Sequence, residues 1–147
     1  MRTHPYLRAY MAGIAAPTAF FVILVCVEKL VHYFPPQAEW FLWFPLAVVP
    51  NAFGVWNVLY VLLHPHWHHP IGLHGAAFPF FIAPIGIAFT SMQGILRFGS
   101  NALIYFDGAI RVPYFYAAFA PFIGIAVYYL IWKYLVGYLN RIVELPS

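Results

Sequence analysis

Long uncharged stretches, broken by isolated charged residues, set the pattern of this chain. Between Arg8 and Glu28 lie 19 uncharged residues, between Glu39 and Arg97 lie 57, and between Arg111 and Lys133 lie 21. A membrane-spanning helix needs about 20 apolar residues, so the first and third runs each predict one span. The 57-residue run is too long for one helix and fits two with a turn between them. Its middle reads His64-Pro65-His66-Trp67-His68-His69-Pro70, a poor lipid-facing helix, so the turn is placed there. The stretch 98–106 is too short to span and reads as the loop between the third and fourth helices. The predicted fold is therefore all-α: a polytopic four-transmembrane-helix bundle with spans near 10–33, 41–63, 75–96 and 113–139. The continuous apolar runs lack the alternating polarity that a β-barrel requires.

Composition leads to the same class. Of 147 residues, 64% are hydrophobic and only 7% charged, against roughly 25% charge in a soluble domain. Eleven charges cannot cover a soluble globule of this size, and the chain is far too apolar for disorder. We expect a single transmembrane domain over 1–147 with no soluble domain. Glu28-Lys29, rather than a small-residue cleavage site, follows the first apolar run, which reads as a retained helix and not a signal peptide. Four spans put both termini and the histidine-rich turn on one side. That side carries Arg2, Arg8 and Arg141 with Lys133 nearby, against Arg97 and Arg111 with Lys29 nearby on the other. The small excess places the termini and the turn in the cytoplasm, across a plasma (inner) membrane. The scattered basic residues give no support to nucleic-acid binding, and the lone Cys26 removes a disulfide framework.

Thirteen prolines are spread along the chain. Pro45, Pro79 and Pro113 are expected in or near first helical turns. Pro17, Pro50, Pro84 and Pro121 are expected inside helices, where proline kinks or loosens the ladder. Small residues at four-residue spacing (Ala12 and Ala16; Gly86, Thr90 and Gly94; Ala120 and Gly124) predict close helix packing or contact with other subunits or a second copy.

Candidate chemistry centres on the turn. His64, His66, His68, His69 and His74 are five imidazoles within eleven residues, and imidazole suits zinc, copper, iron and nickel. A single transition metal there, or a shallow haem between His64 and His74, is the metal-site expectation. The pattern His64-x-x-x-His68-His69 resembles one histidine box of the membrane fatty-acid desaturases and hydroxylases. Those enzymes need several boxes to hold their irons and this chain has one, so a complete di-iron oxidase is not expected. Trp56, Tyr60, Tyr128 and Trp132 are candidate walls of a pocket for a flat hydrophobic cofactor such as a quinone or pigment, with packing as the alternative. Glu28, His32, Asn51, Asn57 and Gln93 are the intramembrane polar residues. Asn51, Asn57 and Gln93 are candidates to line a polar transport path, and helix-to-helix bonding is the structural alternative. Arg97, Asp107 and Arg111 are expected to order the loop or bind a lipid phosphate. No nucleophile stands beside a base. The reading with most support is a non-catalytic membrane subunit or scaffold that packs against other subunits, lipid or a hydrophobic cofactor. The alternatives are a metal or haem protein and a small transporter or channel.

Overall fold

A computed structural model describes residues 4–31, 39–66 and 68–147, with side-chain detail in the second helix from Ala47 onward. His32 lies outside the described residues. The chain forms α1 (Pro5–Val31), α2 (Glu39–Leu63), α3 (Ile71–Met92) and α4 (Tyr114–Ile142). Between α3 and α4 run three short strands: β1 (Leu96–Phe98), β2 (Ala102–Tyr105) and β3 (Ile110–Pro113). The helices α1, α3 and α4 are long and apolar enough to cross a membrane, and Ala47–Leu63 of α2 is a shorter apolar helix.

Local chemistry explains the helix ends. Pro70 precedes α3, which therefore starts at Ile71, four residues before the expected 75. Pro79 consequently lies inside the helix and not in its first turn, together with Pro84. Gly94, with φ 69°, ends α3. Its amide donates to the Ser91 carbonyl and that of Ile95 to the Thr90 carbonyl, the paired bonds of a Schellman C-cap. Gly94 is thus a helix stop and not a packing residue. The end of α4 repeats the device with Glu144 in the left-handed position, φ 56°. Glu144 donates to Arg141 and Leu145 to Asn140, and the buried Leu145 side chain seals the cap.

The segment expected as a plain loop is a three-stranded antiparallel sheet in the order β1-β2-β3. Register places Arg97, Ile104 and Arg111 opposite one another in one row. Arg97 reaches Asp107 at 3.0 Å, so the expected ordering ion pair forms, although both side chains are largely exposed. The turn carrying Asp107 is tight: Phe106, Asp107 and Gly108 all have positive φ.

The core lies between the helices toward the end that holds both termini. α1 packs along α2, α3 packs along α4, and the last turns of α4 return to α1. Glycine and alanine allow these approaches. Ala9, Ala12 and Ala16 of α1 are buried. A Cβ on Gly13 would fall 2.7 Å from the Phe53 carbonyl and 2.8 Å from the Gly54 Cα, so the backbones of α1 and α2 nearly touch there. On α3, Gly75 receives the Trp132 side chain of α4. By contrast, a Cβ on Gly86 or Gly124 would meet nothing within 4 Å. The close approaches therefore fall at Gly13, Gly54, Gly72 and Gly75, and not at Gly86 or Gly124 of the expected stripes.

These contacts set a graded prediction. Gly75→Ala and Gly13→Ala each force a methyl group into packed atoms and should cost about 1–3 kcal/mol. Gly86→Ala should leave stability equal or slightly higher, because alanine favours helix. Unfolding titrations in detergent check the series, and equal losses at all three positions would contradict it.

Candidate functional site

An aromatic slab fills the centre of the bundle. Phe53 of α2 stacks on Trp132 of α4 (5.5 Å, 26°) and meets Phe78 of α3 edge-on at 4.9 Å. Tyr128 leans on both phenylalanines at 5.8 and 5.7 Å. Ring pairs at such separations add to the stabilisation from area burial alone. Trp132 is wholly buried, and its indole Nε1 has no hydrogen-bond partner among the described residues. It lies in a π-helical segment, Ile131–Val136, that interrupts α4. Of the four residues expected to wall a cofactor pocket, the structure brings all together. Trp132 and Tyr60 belong to the buried core, and Trp56 and Tyr128 pack against it.

His74 and Trp56 join α3 to α2. The Trp56 indole donates to the His74 carbonyl at 3.0 Å, and His74 Nε2 lies 3.0 Å from the Trp56 carbonyl. Their rings stack at 4.8 Å and 28°. Two polar side chains thus satisfy each other's backbones across the helix pair, as buried polar groups must.

The five turn histidines do not converge. His74 is committed to Trp56, while the His64 and His68 rings stand 5.9 Å apart. His66 and His69 are exposed on the turn and its exit. Among the described residues no three histidine, cysteine or acidic side chains come close enough to hold a metal ion. For the shallow haem expected between His64 and His74, the His74 Nε2 is already engaged at the Trp56 carbonyl. His64, His69 and His74 do line one cavity of about 300 Å³, whose other walls include Trp56, Tyr60 and Phe81. A second cavity, of about 420 Å³ and almost wholly apolar, opens between α1, α2 and α4 beside Phe20, Phe53 and Tyr128.

The amides are also separated. Asn51 is exposed; its Oδ1 accepts from the Tyr10 hydroxyl and its amide bonds back to the Ala47 carbonyl. Gln93 caps the far end of α3 through its backbone. Asn57 is fully buried and paired with Asn140, a residue that sequence reasoning missed. Asn57 Nδ2 donates to Asn140 Oδ1 at 2.7 Å and to the Ala9 carbonyl at 2.8 Å. Asn140 Nδ2 donates to Asn57 Oδ1 at 3.1 Å and to the Pro146 carbonyl at 3.0 Å. All four amide protons are therefore used, and the three expected path residues share no common channel. Thr90 bonds back to Gly86, and Glu28 is buried. Arg8 donates to the Val143 carbonyl at 2.7 Å, tying the start of α1 to the end of α4.

Replacing His74 by phenylalanine keeps the stack and removes the Nε2 contact. It should cost about 1 kcal/mol of stability, whereas His66→Ala on the exposed turn should change nothing. Chemical unfolding followed by Trp fluorescence checks the pair. Comparison with protein-family models, with curated proteins and with solved structures finds no match, so the site is interpreted from its own residues.

Proposed function

We propose that this chain is a small, non-catalytic integral-membrane subunit or scaffold. It spans the bilayer four times and presents apolar surface to other membrane subunits, to lipid or to a hydrophobic cofactor. One observation carries this reading: several polar side chains within the helices bond inside the bundle while much of the outward surface is apolar. Asn57, Trp56, His74 and Thr90 each bond within the bundle. In α4 the stretch Tyr114–Leu130 buries no residue at all, and Phe115, Phe119 and Phe122 are more than half exposed. A helix this apolar and this uncovered belongs against lipid or a neighbouring protein. Arg8, Lys133 and Arg141 lie toward the end with the histidine-rich turn, and Lys29, Arg97 and Arg111 toward the other. Arg2, counted from the sequence, gives the first end the small excess that favours cytoplasmic termini in a plasma (inner) membrane.

A hydrophobic cofactor in the α2–α3 cavity is a second reading. It is favoured by the aromatic walls Trp56, Tyr60 and Phe81, with His64 and His69 beside them.

Extraction in a mild detergent, followed by light scattering, tests the subunit reading. The chain should run as a defined complex larger than its own 16.8 kDa, and Phe119→Ala with Phe122→Ala should shift that complex toward the monomer. A stable, inert monomer in the wild-type chain would count against it.

A further inference from the structure

We infer that the groove between the start of α3 and the end of α4 binds the phosphate of an anionic membrane lipid. The groove encloses about 300 Å³ and is lined by Pro70, Ile71 and Gly72 on one side and by Tyr129, Lys133 and Arg141 on the other. Its lining mixes polar and apolar surface, whereas that of the two other cavities is nearly all apolar.

Two positive groups, Lys133 and Arg141, line it beside Ser147. The ion pairs of Arg8 with Glu144 and of Arg97 with Asp107 do not involve them. Lys133 is also oriented: its Nζ sits 5.5 Å from the Tyr129 ring centre and 5.2 Å from that of Tyr134, an aromatic clamp on a cation. The α3 terminus adds to this. No side chain caps it, and the first internal bond is donated by Leu73. The amides of Ile71 and Gly72 precede that bond and lack helical acceptors, and the helix dipole is positive at this end. Gly72 makes the approach feasible, since a Cβ there would lie 2.8 Å from the Tyr129 ring and 3.2 Å from the Lys133 Cβ.

Depth selects a lipid over a free anion. The helical rise from Tyr114 to Lys133 is about 28 Å, close to the hydrocarbon thickness of about 30 Å. With Tyr114 at one interface, Lys133 reaches the headgroups of the other. On the Tyr114 side of Lys133, exposed Leu130 and Ile123 of α4 offer an apolar bed for acyl chains. A phosphodiester anchored by two cations and two amides, with its tails along α4, satisfies all of these features.

The inference rests on the membrane reading, and the test separates the two. The chain is reconstituted into phosphatidylcholine vesicles containing phosphatidylglycerol, re-extracted in neutral detergent, and its retained lipid counted by mass spectrometry. Wild-type protein should keep phosphatidylglycerol, unaffected by excess inorganic phosphate. Lys133→Gln with Arg141→Gln should weaken retention by about tenfold or more, while Arg97→Gln with Arg111→Gln at the opposite end should not. Equal retention in the Lys133/Arg141 variant, or displacement by inorganic phosphate alone, overturns the site. A chain that fails to float with pure phosphatidylcholine vesicles overturns the membrane reading, and the site falls with it.

Discussion

Two amides that face each other in the absence of water, Asn57 and Asn140, set the constraint that the rest of the bundle obeys. A buried primary amide carries two donors and an acceptor, and leaving any of them unmade costs more than making them gains. Here the pair answers itself in both directions, and the two remaining protons go to the carbonyls of Ala9 and Pro146. One cluster therefore fixes α1, α2, α4 and the segment after α4 in a single register. The small side chains around it follow from this demand. Asn57 reaches the α1 backbone because Ala9 and Gly13 present no bulk there, and the close approach continues to Gly54. The Schellman cap at Glu144 then turns the chain so that Pro146 arrives over Asn140.

Above this polar knot the aromatic slab supplies the bulk of the apolar contact. Trp132 sits on Gly75, stacks with Phe53 and is supported by Phe78. The π-helical segment of α4 coincides with this contact, which fits the tendency of such segments to appear where a helix must re-aim its side chains. The outward surface is largely apolar, with the exposed Asn51 bonded to Tyr10 and to its own helix. The division of labour, polar bonds inward and apolar groups outward, is the arrangement that a lipid solvent imposes.

Much of the helical framework could be read in the sequence, because charge spacing is a coarse ruler and a span is a coarse object. The expected 41–63 and 113–139 fall close to α2 and α4, while the start of α3 came out late because Pro70 was read only as part of the turn. The sheet escaped because the ruler registers length and not alternation. Leu96-Arg97-Phe98, Ala102–Tyr105 and Ile110–Pro113, separated by Gly99-Ser100-Asn101 and Asp107-Gly108, carried a strand-and-turn signal. Asn140 escaped for a related reason: it lies one residue beyond the expected last span, where an asparagine raises no question about burial. The histidines were legible as unusual, but sequence gives no direction for a side chain. His74 turned inward to Trp56, and the others did not gather into a metal site among the described residues.

A double-mutant cycle at Asn57 and Asn140 tests the central claim most directly. Asn57→Ala, Asn140→Ala and the double variant would be unfolded by denaturing detergent from a mild-detergent state. The account predicts that each single change is strongly destabilising, with a coupling energy of about 1–2 kcal/mol. The double variant would then lose clearly less than the sum of the two. Additive losses would mean that the two amides do not bond to each other and that the bundle closes by other means.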